Sequence, residues 1–274
     1  MTRWTASLPM YNVTPEHAAW WRSLLSDSLA IVARASDLGD ITIGNAPAGE
    51  LMSHWRRKDL LLSQTCGYPY RMLGLANDVH LIATPIFDAP GCEGPRYRSV
   101  IVVSAQAWKR GAKTLEACRG LRAACNGADS HSGMNALRHA VAPLARDGRF
   151  FASVLWTGSH AATLRALTSG AAEVGAIDCV TFALLHDSHL APFDGVQTIG
   201  MTASAPGLPL IASRALGEEQ ADVLRDALDA ALAADPERAR KLRLRGFARL
   251  AGEAYAEIET FANTAAQYGY TELR

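Results

Sequence analysis

At 274 residues, with 49% hydrophobic and 20% charged residues, the chain has the composition of a globular protein with a large buried core, which excludes disorder. Lysine plus arginine equals aspartate plus glutamate, 27 against 27, so the charge balance points to neither nucleic acid nor an anionic membrane, and any anion site must be local. No apolar run is long enough to insert into a bilayer, and five cysteines (Cys66, Cys92, Cys118, Cys125, Cys179) without a CxxC pair fit free thiols in a reducing compartment.

The opening residues, MTRWTASLPMYN, pass almost directly into a strand over residues 5–10, without the basic and apolar regions of an export signal. As read, the chain is expected in the cytoplasm, the alternative being a periplasmic protein whose leader has been removed. Tyr11 stands at the carboxyl end of that strand, where open α/β sheets place ligands. Thr14-Pro15-Glu16-His17 then opens a helix with proline in its first turn. Residues 39–49 read as a glycine-rich connection and 51–57 as a second helix. Residues 59–70 read as an apolar strand running into a polar turn that offers Gln64, Thr65 and Tyr68. Residues 80–85 and 97–105 are two further strands, and the second marks a boundary. Residues 1–104 and 198–274 form a discontinuous first lobe, and 105–197 a second.

From residue 121 an apolar run gives way to Asn126-Gly127-Ala128-Asp129-Ser130-His131-Ser132-Gly133, after which apolar residues recur at helical spacing. A helix start carries unpaired N–H groups and the positive end of the dipole, so hydroxyls there can hold an oxyanion, and Ser130 and Ser132 become candidates. An ordinary N-cap is the plainer account of the same serines. Residues 150–156 read as a strand, Thr157-Gly158-Ser159-His160 as a turn, 161–169 as a helix closed by Gly170, and 174–177 as a strand ending at Asp178. This alternation predicts a parallel sheet with right-handed crossovers, which brings Ser130, Ser132, Ser159, His160 and Asp178 to one sheet edge. A carboxylate only accepts hydrogen bonds, so Asp178 beside an anion asks for a protonated ligand oxygen or a ligand ammonium.

Residues 197–205 read as a strand returning to the first lobe, 208–213 as a strand there, and 217–233 as an amphipathic helix. Asp235-Pro236 caps a further helix, and the last helix, 253–268, is expected to cover the first lobe. The basic cluster Arg238, Arg240, Lys241, Arg243, Arg245 and Arg249 reads as a solvated helix face rather than a nucleic-acid site. The phosphate-binding loop, GxGxxG and HExxH patterns are missing, so no cofactor and no metal are expected. An enzyme with Ser130 or Ser159 as nucleophile, His160 as base and Asp178 as orienting partner is the alternative to a binding site, but GxSxG is missing as well, and no catalytic role is expected.

The segments Ser7-Leu8-Pro9-Met10-Tyr11, Ser63-Gln64-Thr65-Cys66-Gly67-Tyr68-Pro69, Asn126 through Gly133, Gly158-Ser159-His160 and Ala176-Ile177-Asp178-Cys179-Val180-Thr181 resemble the phosphate, phosphite and phosphonate substrate-binding proteins of ABC transporters. The resemblance covers most of the chain, and Asp129 to Gly133 with Ser159-His160 is its most specific part. It implies a type II periplasmic-binding fold: two α/β lobes, each a mostly parallel sheet flanked by helices, joined by crossing strands and closing on a small phosphorus oxyanion. Ser130, His131 and Ser132 would then hold the oxyanion, His160 and Asp178 would complete the second lobe, and Tyr11 and the Gln64 to Tyr68 turn would face them. His131 stands where phosphonate binders commonly carry a small hydroxyl residue. The implied partners are the small oxyanion and an ABC permease, or a regulatory protein if the chain is a cytosolic sensor.

Overall fold

The computed structural model describes residues 3–45, 49–189 and 193–274, with Asp194 described by its backbone alone. In chain order the elements begin β1 (Arg3–Ala6), α1 (Pro15–Ala35), β2 (Asp40–Ile43), α2 (Leu51–Trp55), β3 (Leu60–Gln64), α3 (Gly67–Met72) and β4 (Val79–Phe87). They continue through β5 (Arg96–Tyr97), β6 (Ser99–Ser104), α4 (Ala105–Lys109), β7 (Arg122–Cys125), α5 (Ala136–Val141), β8 (Ser153–Trp156), α6 (His160–Thr168), β9 (Val174–Asp178) and α7 (Cys179–Asp187). The chain finishes with β10 (Val196–Met201), β11 (Ala205–Pro206), β12 (Leu210–Ser213), α8 (Glu218–Ala234), α9 (Pro236–Lys241), β13 (Leu244–Ala248) and α10 (Glu257–Gln267). Two compact units result: Met1–Asp88, Glu93–Pro95 and Pro206–Tyr255 make the first, and Ala89–Cys92, Arg96–Ala205 and Ala256–Arg274 the second.

The first unit is built on a sheet of order β13-β4-β12-β3-β1-β2. Strand β3 is buried at every position, as its continuous apolar run requires of an inner strand. β1 runs parallel to β2 and β3, whereas β12 is antiparallel to β3 and β4, and β13 to β4, so the sheet is mixed rather than mostly parallel. Strand β2 falls within the stretch expected to be a glycine-rich connection; its half-exposed pattern suits an edge strand, and residues 46–48 of that connection lie outside the described residues. The Thr14-Pro15 start of α1 holds: Thr14 Oγ1 accepts from the N–H of His17 at 3.2 Å. Its buried stripe, from Trp21 through Leu24, Leu25 and Leu29 to Val32, packs against the Leu224, Leu228 and Leu232 face of α8.

Within the basic cluster, Arg240, Arg245 and Arg249 are exposed as expected of a solvated face, and Arg238 is the exception. Arg238 is fully buried, and its guanidinium donates to Asp27 Oδ2 at 2.5 Å, Ser23 Oγ at 2.9 Å and the Ala231 carbonyl. Lys241 pairs with Glu16 at 3.0 Å, Arg245 with Asp88 at 2.6 Å, and Arg249 with Asp226 at 2.5 Å. Helix positions alone cannot reveal carboxylates supplied from α1 and α8.

The second unit has a sheet of order β10-β6-β9-β7-β8. β7 is parallel to β8 and β9, as the strand-helix alternation predicts, while β6 is antiparallel to β9 and β10. Three expectations change here. β6 and β10 belong to this unit, not the first; a strand buried along its whole length, as β6 is, fits the middle of any sheet, so its pattern does not say which. The last helix, α10, also belongs here and packs on α5. The strand expected over 150–156 is shortened to β8 because the N–H groups of Phe150 and Phe151 donate to the Arg274 carbonyl at 2.8 and 3.1 Å.

Candidate functional site

Strand β7 ends at Cys125, and the chain turns through Asn126 to Asp129 before Ser130 starts the next element. That element begins as a π turn over His131–Asn135 and only then becomes the α-helix α5. The N–H of Asn135 donates to the Ser130 carbonyl at 3.0 Å, five residues back, and Ser130 Oγ caps the turn by accepting from the N–H of Gly133 at 3.1 Å. Such single π turns are frequent at functional positions. Gly133 is required: a Cβ there would lie 1.8 Å from Asn126 Oδ1 and 3.3 Å from His160 Cε1.

The hydroxyls at this turn join one another. Ser132 Oγ lies 2.9 Å from His160 Nε2 and 3.4 Å from Ser130 Oγ, and the Ser132 carbonyl accepts from Ser99 Oγ at 2.9 Å. Ser130 and Ser132 are both buried. Burial pushes the His160 imidazole down to about 4, so the ring is neutral at physiological pH and carries one donor and one acceptor nitrogen. Its Nδ1 is buried with no hydrogen-bond partner among the described residues, and so is Asn126 Oδ1 across Gly133.

Asp178 ends β9 and caps α7, its Oδ1 accepting from the N–H of Thr181 at 2.9 Å. It is buried and stands opposite Ser99 in the β6–β9 register, and the Ser99 hydroxyl in turn donates to the Ser132 carbonyl. Ser159 caps α6 in the same manner, with Oγ accepting from the N–H of Ala162 at 3.2 Å, but it is exposed and joins no other candidate side chain in the hydrogen bonds described. Among the described residues the Ser-His-Asp arrangement of the enzyme alternative is not assembled, because the nitrogen of His160 that an orienting carboxylate would hold has no partner there.

His131 is buried and held by aromatic and amide neighbours. Its ring packs 5.0 Å from the Phe261 ring and 6.2 Å from that of Tyr97, and its Nδ1 accepts from Asn135 Nδ2 at 3.2 Å. Burial pushes its imidazole down to about 3. Asn135 is itself oriented: its amide donates to the Ile258 carbonyl at 3.0 Å and its Oδ1 accepts from Arg138 at 2.9 Å.

The first unit's candidates are described separately. Tyr11 takes a left-handed backbone (φ 61°), is buried, and sets its ring edge-on to Phe87 at 5.0 Å. Gln64, at the end of β3, is buried; its Nε2 donates to the Leu208 carbonyl at 3.3 Å, while its Oε1 has no partner among the described residues. The N–H of Thr65 donates to the Pro209 carbonyl at 3.0 Å. Tyr68 lies half-buried in α3, a short helix where a polar turn was expected.

Sequence reasoning did not single out Ser99, Asn126 or Gly133. Gly133 was visible as the glycine closing the serine motif, but Ser99 reads as an ordinary strand residue and Asn126 as a turn residue. Among the described residues no group of His, Cys, Asp or Glu could hold a metal ion, and no helix is long and apolar enough to cross a membrane.

A family model described as the periplasmic substrate-binding protein of phosphonate ABC transporters matches residues 49–255. No curated protein matches the chain. Among solved structures, the binding protein component of an ABC phosphonate transporter from Pseudomonas aeruginosa is similar at 15% identity and a TM-score of 0.75, over 97% of this chain and 87% of that one. PhnD1 from Prochlorococcus marinus, in complex with methylphosphonate, is similar at 14% identity and a TM-score of 0.75, over 97% and 99%. The alkanesulfonate-binding protein SsuA from Xanthomonas axonopodis pv. citri, bound to MOPS, is similar at 15% identity and a TM-score of 0.63, over 99% and 94%. These likenesses establish the type II periplasmic-binding fold.

Proposed function

Because this chain belongs to the family of periplasmic substrate-binding proteins of phosphonate ABC transporters, we propose that it binds a small phosphorus oxyanion and presents it to an ABC permease. The observation that carries this reading is the hydrogen-bonded run Ser130, Ser132, His160 at the start of the π turn. Ser130 and Ser132 are the anion's hydroxyl donors, and charge-assisted bonds of this kind are about twice as strong as neutral ones.

The ligand also sets a tautomer. When the Ser132 hydroxyl donates to an oxyanion, its oxygen accepts from His160 Nε2–H, and Nδ1 is left as an acceptor. Asp178 is a second acceptor in the set, since a carboxylate cannot donate. A group of hydroxyl donors with two acceptors favours an anion that keeps a proton, such as a monoprotonated phosphonate or hydrogen phosphate, or one carrying an ammonium. Ser159 belongs to the set as the plain cap that orients α6, and His131 contributes through packing that supports the turn. Tyr11, Gln64, Thr65 and Tyr68 are the first unit's proposed contribution.

A thermal-shift panel of phosphate, phosphite, methylphosphonate and 2-aminoethylphosphonate, with sulfate and methanesulfonate as controls, tests the reading. A saturating ligand at about a hundred times its Kd stabilises the folded state by about 2.7 kcal/mol, a rise of several degrees. Such a rise with at least one phosphorus anion is expected. A flat response to all four, or a rise confined to the sulfur anions, overturns the proposal.

A further inference from the structure

We infer that Cys92 and Cys179 are a redox pair that closes into a disulfide when the protein meets a disulfide oxidant. Their sulfurs lie 3.5 Å apart, although the residues are 87 positions apart in sequence, and both belong to the second unit. The other thiols are differently placed. Cys118 and Cys125 are buried beside backbone carbonyls, at 3.4 Å from that of Thr114 and 3.8 Å from that of Gly127, and burial pushes both up to about 12. Neither sulfur meets another thiol in the hydrogen bonds described.

The backbone around the pair is already drawn together. Gly91, at φ 101°, leaves so little room that a Cβ on it would lie 3.1 Å from Cys179 Cβ, 3.3 Å from its sulfur and 3.2 Å from Met201 Sδ. The segment entering Cys92 is therefore laid directly on Cys179, and the sulfurs need an approach of only about 1.5 Å to reach bonding distance. Proteins of the family act in the periplasm, an oxidising compartment in which such a pair would persist bonded. All five thiols are free in the structure, as the sequence led us to expect, and the proposed bond forms only on oxidation.

The two sulfurs differ in access, and that difference orders the chemistry. Cys92 is half-buried and Cys179 is buried. The Cys92 thiolate attacks a sulfur of the oxidant RSSR, releasing RS⁻ and leaving a mixed disulfide on Cys92. Cys179 then loses its proton, and its thiolate attacks Cys92 Sγ and expels the second RS⁻. The balance is two protein thiols and one RSSR giving one protein disulfide and two RSH. In the reduced pair the Cys92 sulfur beside it and burial both hold the Cys179 thiol well above its ordinary range, and closure, which needs the Cys179 thiolate, speeds up as pH rises. Cys179 is the first residue of α7, directly after Asp178, so the bond ties residues 89–92 to the helix start that Asp178 caps.

The test uses the full chain incubated with glutathione disulfide, then denatured, alkylated with N-ethylmaleimide, and read by intact mass and peptide mapping. Expected are three alkylated thiols instead of the five of the reduced chain, no retained glutathione, and one cross-linked peptide pair containing Cys92 and Cys179. The oxidised protein should melt roughly 5 °C above the reduced one. Cys92→Ser should show four alkylated thiols and no melting shift under the same treatment. Five alkylated thiols after oxidation, a glutathione adduct persisting on Cys92 while Cys179 still alkylates, or a bridge to another cysteine each overturns the inference. The peptide map of the unmodified sequence decides the matter even where the serine variant does not fold.

Discussion

Ser130 and Ser159 cap two helical starts that follow two neighbouring parallel strands of one sheet, with nearly the same local geometry: each hydroxyl accepts from the N–H three residues on, at 3.1 and 3.2 Å. Their surroundings differ entirely. Ser159 is exposed and ends its influence at its own helix, whereas Ser130 is buried and passes through Ser132 to His160, with two buried polar atoms left unpartnered beside Gly133. Under the proposed function, the same capping physics serves helix stability in one place and a ligand in the other. What separates them is burial and the unmet hydrogen-bonding capacity around the cap, which native proteins rarely leave without a reason.

If that contrast is sound, the largest effect belongs to Gly133→Ala. Its methyl would meet Asn126 Oδ1 and the His160 ring, so overpacking should cost about 2–3 kcal/mol of stability in urea unfolding and lower phosphonate affinity by roughly 100-fold. A variant as stable as the parent would mean that Asn126 and His160 yield freely and that the pocket around Gly133 is not shaped.

Ser132→Ala comes next. It removes a ligand donor and leaves His160 Nε2 unpaired, a loss of about 1–3 kcal/mol, so calorimetry should show affinity falling roughly 10- to 100-fold with the fold retained. An unchanged affinity would reduce Ser132 to the rank of Ser159.

The third effect is read in pH. The folded His160 is pushed down to about 4 from 6.5, so between those values the unfolded chain binds a proton that the folded chain refuses. Its contribution to stability is therefore complete above about pH 6.5 and declines as pH falls toward 4. His131, pushed down to about 3, adds a second decline of the same sign that extends lower. His160→Gln should remove about one proton from the slope of unfolding free energy against pH between 4 and 6.5. A slope equal to the parent's would contradict a neutral, buried imidazole.

The smallest effect is Ser159→Ala. Losing an exposed cap should cost about 1 kcal/mol of stability and leave affinity within roughly threefold. A loss of affinity as large as that of Ser132→Ala would erase the distinction between the two serines.

The sequence showed local features more faithfully than distant ones. Thr14-Pro15 and Asp235-Pro236 start helices as expected, because a cap and a first-turn proline act within one turn of chain. The three polar turns at β7, β8 and β9 were found for the same reason. Allocation between the units was not legible: β6 and α10 carry apolar faces that say only that something covers them. The π turn was hidden because one extra residue leaves the composition of a helix start unchanged. Arg238 was misread because its carboxylate, on Asp27, comes from a helix more than 200 residues earlier. In the site itself, the serines, His160 and Asp178 were readable as motif residues, while Ser99 and Asn126 acquire their significance only from the strand pairing and from the space above Gly133.

The central claim, that a phosphorus oxyanion is held at the Ser130 turn, is tested most directly by titrating methylphosphonate calorimetrically into the parent protein and into Ser132→Asp. A carboxylate at that position repels the anion, so the account predicts saturable one-to-one heat from the parent, none from the variant, and melting temperatures within about 3 °C of each other. Equal binding by the folded variant and the parent would contradict it.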